Sequence, residues 1–322
     1  MTTTSTGLSG HHVLVTGASG FLGSAFVRFA VRAGADVTAL CRSSSSDWRL
    51  AEVAGQYRLL SAPLEAVNLE PHPSTVMVHF AAAGVNQLSD DVADMVATNV
   101  VGTAHMLELA RRHDVNRFVL VGTSAEYGSG VLLEETAPLR PTSEYGATRA
   151  AATLLAHAFG ARRHLDVVVV RPFAVYGPYE AAYRLIPHAI LNSLRAAPVR
   201  ISSGRQTRDY VYVDDVCDGI ARACMTEAAR GGTFNLCTGV ETSVLDIATR
   251  ASELAGSLRP VEAGAVASVP GEMWRTTGNP ALTHKVLNWR PTTDLGVGLA
   301  QTIEWFRSRG QHLPQYPAPA ND

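Results

Sequence analysis

Lysine is almost missing from this chain: of its 27 basic residues only Lys285 is not an arginine. With abundant alanine, glycine and valine, this points to a GC-rich coding sequence in which arginine has replaced lysine wherever nothing forbade it. Cysteine is scarce as well. Cys41, Cys217, Cys224 and Cys237 form no CxxC pair and no metal-like cluster with histidine, so buried free thiols in a reducing compartment are expected, with no bound metal. No apolar run approaches the roughly 20 residues of a membrane span; the longest, VVVV at 167–170, suits a strand. The first residues, MTTTSTGLSGHH, lack the charged start and apolar stretch of a signal peptide, and a cytoplasmic location is expected. Charge of one sign is lacking too. A net charge of −2 offers no basic face for nucleic acid or an anionic membrane.

What the chain does have is alternation. HHVLVTG (11–17), DVTALCR (36–42), TVMVHFAA (75–82), RFVLVGTS (117–124) and LDVVVVRP (165–172) read as strands. Between them FLGSAFVRFAVRAG (21–34), VATNVVGTAHMLELARRHD (96–114) and a stretch from about 144 to 164 carry apolar residues at helical spacing. The pattern predicts an α/β fold with a doubly wound parallel Rossmann sheet. Residues 1–171 are expected to form the dinucleotide-binding unit, with 207–237 returning to it. Residues 172–206 and 238–322, richer in proline and glycine, read as a smaller, discontinuous C-terminal substrate lobe. SSSS at 43–46 is expected in a loop, and the tail PQYPAPAND to be frayed.

VTGASGFLG places Gly17, Gly20 and Gly23 between the first strand and the first helix. There a glycine turn lets backbone approach a pyrophosphate, and the helix N-terminus presents free N–H groups to it. Phe21 and Leu22 open that helix and belong to the same cofactor contact. An acid at the end of the second strand would accept the ribose 2′-hydroxyl of NAD. Cys41, Arg42 and Ser43 stand there instead. A cation and a hydroxyl suit a 2′-phosphate, so NADP (as NADPH) is expected and NAD is the lesser alternative.

Seven stretches then fall in one order: TGASGFLG, HFAAAG (79–84), TNVVGTAHML (98–107), GTSAEYG (122–128), YGATR (145–149), RPFAVYGP (171–178) and RDYVYVDDV (208–216). Together they resemble the extended short-chain dehydrogenase/reductases that act on nucleotide-activated sugars, and the likeness covers nearly the whole length. The resemblance implies that Ala81 and Ala82 line the cofactor and that Asn99 shapes the helix beneath the site and belongs to the cofactor set. It implies a nucleoside diphosphate sugar in the second lobe, with Arg208 at its pyrophosphate and Tyr176 and Arg275 among the substrate contacts. A structural ion pair of Arg208 with Asp209 or Asp214 is the other reading of that arginine. It also implies a homodimer paired through helices around 99–113 and 144–163.

Tyr145 and Arg149 lie four residues apart, on one helix face. A free tyrosine is a poor base at neutral pH unless nearby positive charge stabilises its phenolate, and a cation at this spacing supplies it. The resemblance makes Tyr145, Arg149 and Thr123 the catalytic set, with Ser124 a possible substitute for Thr123. Two departures stand out. Arg149 occupies the family's lysine position, a non-conservative exchange because a planar fork cannot place one compact ammonium between two ribose hydroxyls. Pro63 stands where an acid often contacts the adenine. The 4,6-dehydratase branch carries acids directly after its threonine; here Ser124 and Ala125 stand there, and Glu126 is one step displaced. In an extended segment that step turns a side chain to the other face. The expected activity is therefore NADPH-dependent reduction of the 4-keto group of a nucleoside diphosphate (deoxy)sugar. A nucleotide-sugar 4-epimerase is the alternative, and a non-catalytic NADP-binding sensor or scaffold the alternative of another class.

Overall fold

The computed structural model describes residues 7–42, 46–68, 75–85, 91–268, 271–309 and Tyr316. Seven parallel strands form the main sheet in the order Arg58–Ser61, Asp36–Cys41, His12–Thr16, Thr75–His79, Arg117–Val121, Val167–Pro172 and Thr233–Leu236. From His12–Thr16 the chain winds outward first to one side and then to the other. The crevice beyond the strands' carboxyl ends, where the order reverses, is the place where open α/β sheets bind ligands.

The apolar runs are continuous because both faces of the sheet are covered. Leu14, Leu40, Met77, Leu120 and Val169 face one way, onto Met106, Leu107, Ala152 and Ala156. Val13, Val15, Val78, Val119 and Val168 face the other way, in a core with Phe26, Ala30, Val216 and Ile220. Helices Phe21–Arg32 and Val213–Met225 pack together on that second face. The four cysteines are buried and free, as expected. No helix among the described residues is long and apolar enough to cross a membrane.

The strands end earlier than their apolar runs suggested, at His79 and Val121, because the following residues leave the sheet to form the site. The helix expected over 96–114 is three segments: Val92–Met95, a π-wound Val96–Gly102, and Thr103–Arg112. Gly130–Leu133, from the first half of the chain, joins Thr242–Ser243, Thr207–Arg208 and Arg275–Gly278 in a small second sheet. Thr207–Arg208 therefore belongs to the small sheet, and the return to the main sheet is made by Val213–Met225 and Thr233–Leu236. Strands of two to four residues carry too little pattern for period-2 alternation to mark them.

The Arg117 strand is tied to its surroundings by a buried ion pair. Arg117 Nε and Nη2 donate to Asp166 Oδ2 at 2.9 and 2.8 Å. Its Nη1 donates to the carbonyls of Ala223, Cys224 and Thr226, where the helix Val213–Met225 ends. A cation there satisfies carbonyls that the helix leaves without partners. Arg117→Met strands the Asp166 charge in the interior and should lower stability by roughly 3–5 kcal/mol. Urea unfolding measures this, and a loss under about 1 kcal/mol would show that the pair is dispensable.

Candidate active site

A cleft of about 1420 Å³ opens along the carboxyl ends of the strands. Gly17, Gly20, Phe21, Leu22 and Gly23 form one end of it. Gly17 has φ of +65°, and a Cβ there would lie 2.7 Å from the Ala81 nitrogen. The turn and the strand end beside it therefore require glycine. Gly20 caps the helix Phe21–Arg32 with no side-chain hydrogen bond, so the first N–H groups remain for an anion. These features fit a dinucleotide diphosphate.

Arg42 is exposed at the same end and lines the cleft, beside the buried Cys41. Ser43 lies outside the described residues. Pro63 lines the wall after the third strand as expected, and Glu65, two residues on, is an acid on that wall.

Ala81 and Ala82 line the floor, but Asn99 does not reach the cleft. It is fully buried behind it, accepting from Ala83 N at 2.8 Å and donating to Ala83 O and Thr148 Oγ1. Asn99 thus fastens the floor loop to the helix Glu144–Arg163. The π-winding of its segment, of the kind often found at functional sites, carries it there.

That helix brings Tyr145 and Arg149 to the cleft, opposite Thr123 and Ser124. Ser143 caps it by accepting from Gly146 N at 3.1 Å. A Cβ on Gly146 would sit 2.6 Å from the Ala125 carbonyl oxygen, so glycine here lets the helix press against the turn that carries Thr123. Tyr145 and Thr123 are thereby seated on two elements in direct contact.

Arg149 turns downward from Tyr145. It is almost wholly buried, and its Nη1 and Nη2 donate to the carbonyls of Ala81, two residues past the end of the fourth strand, and Val121, the last residue of the fifth. Its Nε has no partner among the described residues. The guanidinium lines the cleft floor, yet these donors are spent on backbone, not directed at a ribose as its place in the motif implies. Below it His79 bonds to Thr16 and Thr103. Burial and the Arg149 charge hold the imidazole down to about 3, so it is neutral.

The turn after Thr123 is a 3₁₀ segment, Ser124–Glu126, and not extended chain. Glu126 still faces away from the cleft, for a different reason from side-chain alternation. Its carboxylate accepts from Thr123 N at 3.0 Å and pairs with the buried Arg171 at 2.8 Å. The Thr123 side chain accepts from Ala125 N in return, completing a capping box. That bond uses an oxygen lone pair and not the hydroxyl proton.

In the small second sheet Arg208 lines the cleft and pairs with Glu272 at 3.5 Å, not with Asp209 or Asp214. Asp209 instead accepts from Thr238, Gly239 and Gly278. Tyr176 and Arg275 are not at the cleft. Tyr176 is buried among Tyr210 and Tyr212, and Arg275 is held outside by Glu241.

Sequence reasoning missed several lining residues. Arg49 lies over the Trp48 ring and bridges Ser19 O and Tyr179 O. Glu180, Tyr183 and Arg184 line the cleft near Arg208. Only their position just after the RPFAVYGP motif could have marked the last three. Among the described residues no three His, Cys, Asp or Glu side chains converge as a metal site.

Residues 13–237 match the model of the NAD dependent epimerase/dehydratase family. The chain is similar to a dTDP-glucose 4,6-dehydratase of Streptomyces niveus, 32% identical over 92% of each chain. It is likewise similar to a UDP-glucose 4-epimerase of Mycolicibacterium smegmatis, 31% identical over 92% of this chain and 99% of that one. A dTDP-glucose 4,6-dehydratase from Streptomyces venezuelae, solved with NAD bound, superposes with a TM-score of 0.88 at 28% identity, over 95% of this chain and all of that one.

The contact at Gly146 yields a direct test. Gly146→Ala pushes the helix off the Ala125 carbonyl and should destabilise the fold by about 1–3 kcal/mol. Dinucleotide affinity should hold within about threefold while turnover drops by on the order of 10- to 100-fold, since a small misplacement of Tyr145 suffices. Calorimetric melting, cofactor titration and steady-state rates separate these effects. Unchanged turnover would mean the close approach does not position Tyr145.

Proposed function

The chain belongs to the NAD dependent epimerase/dehydratase family, and on that footing we propose that it reduces the 4-keto group of a nucleoside diphosphate sugar with NADPH. The observation that carries this reading is the turn after Thr123. Elimination of water needs acid and base groups beside the hydride-transfer pair, to take a proton from one carbon and give one to the departing hydroxyl. Here Ser124 and Ala125 line the cleft, while Glu126 is locked inward on Arg171. That leaves hydride and proton exchange at the carbinol carbon.

The dinucleotide, when bound, supplies the hydride. Tyr145 gives its phenolic proton to the oxygen of the former ketone and regains one from solvent. Thr123 donates a hydrogen bond to that oxygen and fixes the carbonyl against Tyr145. Arg149 holds a positive charge beneath the pair, which favours the phenolate left behind. Arg42 at the open end, with no carboxylate beside it in the strand end, supports a cofactor carrying a 2′-phosphate. A diphosphate sugar lies towards Arg208 and Arg184. Exposed Leu154 on one of the two helices named for dimer pairing supports a second copy there.

A second reading has its own support. The epimerase of Mycolicibacterium smegmatis is matched along nearly its whole length, and the Streptomyces venezuelae relative carries NAD. An epimerase retains one NAD and consumes none.

Fluorescence titration of NADPH and NADH comes first. The parent should prefer NADPH, and Arg42→Ala should lose about 1–3 kcal/mol of NADPH affinity with little change for NADH. Equal curves in the parent remove the phosphate preference. Next, nicotinamide absorbance is followed with nucleotide 4-ketosugars. Tyr145→Phe and Arg149→Met should lose most turnover, and Arg149→Lys should retain it. Interconversion of UDP-glucose without net oxidation of cofactor favours the epimerase. If Tyr145→Phe and Arg149→Met turn over like the parent, the proton-transfer assignment fails. Cofactor binding without turnover of any nucleotide sugar leaves a sensor.

A further inference from the structure

At the substrate end of the cleft two arginines are each held by a glutamate. Arg184 Nε lies 3.5 Å from Glu180 Oε1, and Arg208 Nη2 lies 3.5 Å from Glu272 Oε1. All four residues line the cleft. Charge-assisted bonds of this kind are ordinarily about 2.7–2.9 Å, so both pairs are loose. The two arginines also act on each other: the Arg184 charge is among the causes that lower the Arg208 pKa, after burial. A doubly charged anion between them would relieve that repulsion.

Glu180 is the less comfortable of the two acids. It is 5% exposed, and its Oε2 is buried without a hydrogen-bond partner. Glu272, by contrast, has a second bond, from Gln206 Nε2 at 2.7 Å. The groups facing Glu180 are Arg184 on its own segment, Tyr210 on the neighbouring strand, and Tyr316. The Tyr316 hydroxyl donates to the Glu180 main-chain carbonyl at 2.7 Å and not to the carboxyl, which is served by Arg184 and by the Gly177 backbone.

We infer that Glu180 and Glu272 are displaceable counter-ions of a diphosphate subsite, holding Arg184 and Arg208 until the diphosphate of a nucleotide sugar takes their place. The inference rests on the proposed nucleotide-sugar reading of the same cleft. Once displaced, Glu180 faces the incoming negative charge from a buried position, where a lone carboxylate is costly. It therefore takes up a proton as the ligand binds. Burial, offset by Arg184, already raises this carboxyl to about 7. The anion raises it further, so affinity is level below the pKa of the free protein and falls as pH rises through it.

Isothermal titration of dTDP-glucose and UDP-glucose into the full chain tests this, because their diphosphates do not titrate near neutrality. Parent affinity should fall roughly 3- to 10-fold from about pH 6 to about pH 8.5, with proton uptake visible as a dependence of the heat on buffer. Glu180→Gln should bind more tightly than the parent at the higher pH, with no uptake and a level profile. Arg208→Ala should weaken binding at both. The proton uptake in the parent stands as evidence even where the Gln variant folds poorly, which melting reveals. If both sugars bind, Arg208→Ala weakens them, and Glu180→Gln keeps the parent's affinity and pH profile, the exchange is overturned and the subsite remains. If neither sugar binds, and Arg208→Ala changes nothing, the subsite and the exchange fall together.

Discussion

A buried guanidinium carries the architecture of this site. Arg149 joins three elements at once: its own helix and, through the carbonyls of Ala81 and Val121, the loop leaving the fourth strand and the last residue of the fifth. Those carbonyls sit where the sheet stops and its ladder can no longer serve them. A cation beneath the cleft satisfies them and sets the distance between the two loops that carry the floor and Thr123. The neighbouring imidazole of His79 completes the arrangement by staying neutral, so no second positive charge competes below. A lysine at this place would offer one ammonium on a thinner stem. The fork of arginine instead reaches two carbonyls in different directions, and that geometry draws the side chain down into the floor.

From this anchor the rest of the site follows by contact. Asn99 binds the floor loop to Thr148, one residue before Arg149. Gly146, three residues before it, meets the Ala125 carbonyl, and the capping box of Thr123 and Glu126 stiffens that turn. Arg171 then ties Glu126 to Tyr127, whose hydroxyl donates to Asn235 on the outermost strand. A chain of buried polar contacts thus runs from the hydride-transfer end to the edge of the sheet. Networks of this kind are stable only when nearly every member is satisfied. The lone Nε of Arg149 is the exception among the described residues of this network, and Arg149 lines the cleft.

The main sheet, its winding and the glycine turn were legible in the sequence because each rests on a local signal. A run such as HHVLVTG, or three glycines between strand and helix, declares itself within ten residues. The placement of Tyr145, Thr123 and Arg208 at one cleft was legible from the ordered motifs. Side-chain direction was not. Arg149 in the motif says nothing about which acceptors its fork will find, and these come from strands 28 and 68 residues away. Tyr176 and Arg275 share segments with true lining residues but point into a tyrosine cluster and onto Glu241. Glu126 shows the reverse: its exclusion from the cleft follows from Arg171, while period-2 reasoning reached the same end through a strand that does not exist.

The cleft walls are stitched together at both ends. At the glycine-turn end Arg49 bridges Ser19 to Tyr179, just after the RPFAVYGP segment. The Tyr179 ring lies under Arg28 and against Trp305. At the other end Thr142, just before the Tyr145 helix, donates to Gly271 at 2.8 Å, and the next residue, Glu272, holds Arg208. Arg208 and the start of the helix that carries Tyr145 are thus connected through one hydrogen bond and one ion pair.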